Sequence, residues 1–209
     1  MVSKKSKAKE NKINRNYSVV IGIVLIIISL AIPASTFAPV FKAEVNYQIN
    51  QKNNEIINGE LAESIPIDPE FSIVIPKINA NTKVIKNVDP FDSKIYQQAL
   101  TQGVAHAKNT ATPDQFGNTF IFAHSAGNWY QANQFNAVFY LLNKLEIGDE
   151  IIVYYQAKKY NYTVNQNKFI KGSELNYMES KVGQKQLTLM TCWPPGTTLK
   201  RLIIIATPK

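Results

Sequence analysis

Cys192 is the single cysteine of the 209-residue chain, and it ends the run Thr188-Leu189-Met190-Thr191-Cys192 just before Trp193-Pro194-Pro195-Gly196. An alternating run that stops at a thiol and gives way to a Pro-Pro-Gly loop reads as a strand terminus. The strand fixes the thiol and the loop leaves it reachable. Nine residues on, Arg201 opens the apolar run Leu202–Thr207. His124 closes another apolar run, Asn118–Ala123, and is followed by Ser125, Ala126 and Gly127. Three chemically capable side chains thus stand where apolar runs begin or end.

Together the three cover the roles of a thiol acyl transfer. A free thiol is mostly protonated at neutral pH, and a neighbouring imidazolium or guanidinium populates the thiolate. Attack on a peptide carbonyl creates an oxyanion that needs a donor such as guanidinium. The departing amine needs a proton, which imidazolium can give. Cys192 would be the nucleophile, His124 the acid and base, and Arg201 the oxyanion partner. Each residue also has a plainer reading: a cysteine buried as a small apolar side chain, a histidine satisfied at a strand end, an arginine on the surface. Spacing alone does not choose between them. Two histidines and one cysteine far apart make no metal signature, and no glycine-rich phosphate cradle is present, so no cofactor is expected.

The elements that must position these residues are mostly short strands. Phe71–Ile78 reads as a strand with Pro76 at an edge or bulge. Thr82–Val88, Asn118–Ala123, Asp149–Tyr155, Tyr160–Phe169, Gln186–Thr191 and Leu202–Thr207 follow as further strands. Ser93–Leu100 is a short helical piece, and Asn133–Leu145 has helical spacing through Phe135, Val138, Phe139, Leu142 and Leu145. Seven to eight strands with two short helices, no βαβ rhythm and no repeat predict a mainly β domain, a closed or nearly closed barrel.

This domain is expected over residues 70–209, and the chain before it divides in three. Residues 1–18 carry six basic groups against Glu10, a net of +5, while the other 191 residues hold 17 basic and 14 acidic groups. The high overall charge therefore describes a tail, and a nucleic-acid partner is not expected. Residues 19–41 form an uncharged run of 23 residues, enough to span a bilayer as a helix. Basic residues on its N-terminal side predict a cytoplasmic tail and a domain outside the cell membrane. A cleaved signal peptide ending near Thr36-Phe37-Ala38 is the competing reading. Residues 42–69 are polar and read as an extracellular linker. With one cysteine, no internal disulfide framework is available.

The ordered motifs resemble one family. Thr188-Leu189-Met190-Thr191-Cys192 with Arg201 is similar to the TLxTC…R signature of sortases. Gly103-Val104-Ala105-His106, Thr110-Ala111, Pro113, Gly117-Asn118 and Phe122-Ala123-His124 resemble the stretch leading to the sortase histidine. Phe139–Ile151 resembles the passage after it, and Phe71–Ile78 the opening strand. The resemblance implies an eight-stranded sortase barrel preceded by a transmembrane helix, with His124, Cys192 and Arg201 catalytic. The implied activity is a membrane-anchored cysteine transpeptidase. It would cleave a Leu-Pro-x-Thr-Gly-like sorting signal after Thr and pass the acyl group to an amine of a cell-wall precursor or pilin subunit. The partners implied are surface or pilin proteins bearing such a signal. Thr191, Trp193, Ser125 and His106 are candidate substrate contacts, His106 with an expected structural or pocket-rim role. Asn109 stands where the family often has glycine, Ser125 follows the histidine where many members have Arg or another polar residue, and the Trp-Pro-Pro-Gly loop is distinctive. The subclass is therefore unassigned, and no acidic cluster points to calcium. Two other readings accompany this one: a non-catalytic barrel that binds or presents surface proteins, and a different cysteine peptidase acting on the cell wall.

Overall fold

A computed structural model describes residues 17–31, 34, 41, 44–49, 65–124, 138–172, 174, 176–178, 183–195 and 197–209. The basic tail through residue 16, the linker stretch 50–64, Ser125, Asn133 to residue 137, and Gly196 lie outside them. Two units are distinguished, Met1–Ala38 and Pro39–Lys209. In the first, residues 17–31 are helical, and Val19, Ile21, Ile23, Leu25, Ile27 and Leu30 are all exposed. Such a helix is apolar on every side. Among the described residues, no helix is long and apolar enough to cross a membrane.

The second unit is a closed eight-stranded barrel in the spatial order β1-β2-β3-β4-β7-β8-β6-β5. Its strands are β1 (Phe71–Ile75), β2 (Ala80–Val88), β3 (Val104–Ala107), β4 (Gly117–Phe122), β5 (Glu150–Tyr155), β6 (Lys158–Lys171), β7 (Lys185–Trp193) and β8 (Lys200–Pro208). Closure removes the sheet edges that would otherwise be left to pair with other chains. Neighbours are antiparallel except β2 with β3 and β4 with β7, which run parallel. Helix α1 (Ser93–Leu100) makes the crossover from β2 to β3. One βαβ unit is therefore present where none was expected. The four residues of β3 are too short, and too interrupted by His106, to show a strand pattern in sequence.

Local chemistry explains the boundaries. Pro76 ends β1 at Ile75 and opens a 3-10 turn over Pro76–Ile78, since proline cannot donate into the sheet ladder. The carboxylate of Asp92 caps α1, accepting from the amides of Lys94 at 3.0 Å and Ile95 at 3.1 Å. Asn109 has φ 65. It occupies the left-handed region that glycine favours and asparagine tolerates. The helix expected over Asn133–Leu145 appears, in its described part, as turns and a 3-10 turn at Leu142–Lys144. Within the expected linker, residues 44–49 are helical. Glu44 pairs with Lys144 at 2.9 Å, the Lys144 ammonium lies 5.4 Å from the Tyr47 ring, and Tyr47 packs on the core.

The core fills the barrel. Ile73, Ile75, Val104, Ile121, Ile151, Val153, Leu187, Leu189, Leu202, Ile204 and Ala206 are all fully buried there. On β8, Ile203 and Ile205 face the opposite way and are also buried, with Ile170, in a second cluster that Met190 and Tyr177 flank. The unbroken apolar run of this strand is thus explained by burial on both faces.

Gly103 marks the tightest backbone approach. A Cβ at this position would lie 2.3 Å from the carbonyl oxygen of Lys83 on β2. Gly103→Ala is therefore expected to push β3 off β2 and destabilise the protein by about 1–3 kcal/mol, the usual range for overpacking. Urea unfolding followed by circular dichroism measures this as a lower midpoint.

Candidate active site

Three adjacent strands bring the three chemical residues together. β4 and β7 run parallel with Phe122 opposite Met190. The ladder continues past β4, since the Ala123 amide donates to the Met190 carbonyl at 3.1 Å. Thr191 Oγ1 donates to the Ala123 carbonyl, also at 3.1 Å. Extending this register by one more residue on each side sets His124 beside Cys192. On the other flank, β7 and β8 are antiparallel with Cys192 directly opposite Arg201. The thiol therefore lies on the central strand, with the guanidinium on β8 and the imidazole two residues past the end of β4. All three share the face of Met190, Ile203 and Ile205, outside the barrel interior.

Each side chain is half-buried and held differently. Among the described residues, His124 makes no hydrogen bond, and the ring against it is Tyr96 of α1, 6.2 Å away and inclined at 64°. Arg201 Nη1 donates to the carbonyls of Thr198 and Lys200, both at 3.2 Å. A Cβ on Gly172 would stand 3.6 Å from the guanidinium carbon, so the backbone at the end of β6 lies against this group. Among the described residues, Nε and Nη2 carry no partner and retain three N–H donors. The loop between β7 and β8 is pinned by the amide and hydroxyl of Thr197, which both donate to the Pro194 carbonyl.

Burial sets the resting charge state. It raises the Cys192 thiol above its ordinary range, against an opposing pull from Arg201. It lowers His124 below the ordinary imidazole range. The prevailing form near neutrality is thiol beside neutral imidazole, and the thiolate–imidazolium pair is a minor form. This arrangement can deliver a nucleophile, a proton donor and an oxyanion donor to one carbonyl.

The other candidate residues sit elsewhere. Thr191 points inward and is buried, tying β7 to the end of β4. Trp193 is half-buried at the strand end, 5.3 Å from the Phe169 ring, and precedes a cis bond to Pro194. Ser125 is outside the described residues. His106 is opposite Ile121 on the interior face of β3 and is 2% exposed, so it does not reach the Cys192 face. Its Nδ1 accepts from the Asn87 amide, and its Nε2 therefore donates towards the Ala111 carbonyl and Thr110 Oγ1. Both nitrogens are committed, and burial holds its pKa down. Sequence reading missed Tyr96. The only signal was the spacing of Tyr96, Ala99 and Leu100, which puts them on one helix face. Among the described residues, no group of three His, Cys, Asp or Glu side chains gathers as a metal site.

A barrel that gathers a thiol, an imidazole and a guanidinium at one end of three neighbouring strands has the parts for thiol acyl transfer. The sortase domain profile matches residues 73–209, well over half the chain. The chain belongs to the sortase family, whose members are cysteine transpeptidases. Among solved structures it is similar to a Clostridium perfringens sortase D5 transpeptidase, at 21% identity and TM-score 0.55, covering 85% of this chain and 98% of that one. Sortase C-1 from Actinomyces oris matches at 24% identity and TM-score 0.56, covering 82% and 85%. A lid mutant of sortase A from Corynebacterium diphtheriae matches at 21% and 0.57, covering 71% and 74%. At these identities the likeness speaks for the fold. A search among curated proteins returned no match.

The single thiol makes its ionisation directly measurable. The rate of Cys192 alkylation by iodoacetamide, followed by intact mass, is expected to rise with an inflection above the ordinary thiol range. In Arg201→Ala the inflection moves higher still, because the cation that favours thiolate is gone.

Proposed function

We propose that this protein is a membrane-anchored transpeptidase in which Cys192, His124 and Arg201 are catalytic. Its substrates are surface or pilin proteins carrying a Leu-Pro-x-Thr-Gly-like signal. The observation that carries the site assignment is the strand register, with Cys192 opposite Arg201 and with β4 paired to β7 up to Phe122 and Met190, two residues short of His124 and Cys192. The Cys192 thiolate attacks the Thr carbonyl carbon, and the oxyanion accepts hydrogen bonds from the free guanidinium N–H groups. The His124 imidazolium protonates the leaving glycine nitrogen as the C–N bond breaks, leaving a thioester on Cys192. An amine of a cell-wall precursor or pilin lysine then attacks the thioester. His124 takes its proton, a new amide forms, and the thiolate is released.

Anchoring is supported by the N-terminal unit. The helix over residues 17–31 exposes apolar side chains all round, and the lysines before it in sequence suit a cytoplasmic tail. The uncharged run 19–41 is long enough to span as one segment. This would place the barrel on the outer side, next to substrates and acceptors held at the same surface.

Full-length protein in detergent, incubated with a sorting-signal peptide library and a primary amine, is expected to form an acyl-enzyme detectable by mass spectrometry and an amide product. Cys192→Ala should abolish both, and Arg201→Ala should lower the rate about 10²- to 10³-fold, as for loss of an oxyanion donor. Wild-type protein that yields no acyl-enzyme, or one that matches Cys192→Ala, would sink the proposal.

The pH profile follows from the two shifts. Thiolate is populated as pH rises through the raised thiol pKa, and imidazolium is lost as pH rises through the lowered imidazole pKa. Their product is a bell with an acid limb below the ordinary imidazole range and an alkaline limb above the ordinary thiol range, with a broad plateau between. Initial transfer rates across pH check this, and a narrow optimum between the two ordinary values would contradict it.

A further inference from the structure

We propose that Tyr96 of α1 is a positioning residue that holds the His124 ring towards Cys192. The inference rests on the proposed role of His124 as acid and base.

The two imidazoles of this protein are held by opposite means. His106 is fixed through hydrogen bonds at both nitrogens. His124 has none among the described residues, so no hydrogen bond there sets its orientation. Among the described residues both nitrogens are thereby left open for proton transfer, and what orients the ring there is packing. The Tyr96 ring supplies it, edge-on at 6.2 Å and 64°, a geometry favoured between aromatic rings. Tyr96 is itself anchored. It meets Phe122, two residues before His124 on the same chain, at 6.4 Å and 74°. Ala99 and Leu100, three and four residues further along the helix, are buried in the core. The Asp92 cap fixes where the helix starts, and so the angle at which position 96 meets β4. One ring thus braces the end of β4 at Phe122 and again at His124.

A brace of this kind acts on the chemical step. Loss of the ring would let the imidazole turn away from the thiol, which lowers kcat while leaving peptide affinity in place. The brace is the aromatic ring and not its hydroxyl, so phenylalanine should serve as well.

The test compares full-length parent, Tyr96→Phe and Tyr96→Leu in detergent by ¹H–¹³C spectra of the two histidines and by transfer kinetics with a sorting-signal peptide and a primary amine. In Tyr96→Leu the His124 ring signals are expected to shift and broaden, while His106 stays in place as a control for the fold. kcat is expected to fall about tenfold or more, with KM within twofold. Tyr96→Phe is expected to match the parent in both. An active parent whose Tyr96→Leu variant keeps its kcat and its His124 signals overturns the inference. So does a kcat loss that Tyr96→Phe fails to rescue. A parent that forms no acyl-enzyme overturns the catalytic reading instead.

Discussion

The pairing of β7 with its two neighbours is the constraint on which the rest depends. Cys192 and Arg201 face one another because β7 and β8 are antiparallel in this register, and His124 falls beside them because β4 runs parallel to β7. A one-residue slip in either ladder would turn the relevant side chain to the other face. The barrel guards against that slip through its core. Leu187, Leu189, Leu202, Ile204 and Ala206 must face inward together, and moving them outward would expose a large apolar area. The hydrophobic core therefore fixes the chemistry indirectly, by fixing the register.

The face that carries the three residues is not an ordinary solvent face. Ile170, Ile203, Ile205 and Met190 cover much of it, with Tyr177 from the β6–β7 connection packed on top. Asn118 Nδ2 donates to the Tyr177 carbonyl, and Thr188 Oγ1 donates to Asn118 Oδ1, which ties the connection to β4 and β7. Burial, rather than a neighbouring charge, dominates the ionisation of both Cys192 and His124. The guanidinium opposes it at the thiol without reversing it.

Much of this was legible in the sequence, for identifiable reasons. Strands β4, β7 and β8 announced themselves because their apolar runs end abruptly at His124 and Cys192 or begin after Arg201. Ser93–Leu100 was readable as a short helical piece, although its cap at Asp92 emerged only from the structure. Where the sequence misled, a local pattern was too short or was overridden by packing. β3 is four residues in which His106 occupies an interior position, so alternation gave no hint of a strand. The role of Gly103 depends on the Lys83 carbonyl twenty residues away. Val138 to Leu145 repeat at helical spacing, yet the described part makes turns. The motifs already set His124 apart from His106, and the structure adds that His106 is buried on the interior face and hydrogen-bonded at both nitrogens.

The charge state of the pair has a further consequence, for the durability of the protein. Peroxide and other oxidants attack thiolate far faster than thiol, beginning the descent to sulfenic and then irreversible acids. With no second cysteine in the chain, a sulfenic acid at Cys192 has no internal thiol to resolve it. Keeping most molecules in the thiol form slows the proposed chemistry, but it also lengthens the working life of each molecule.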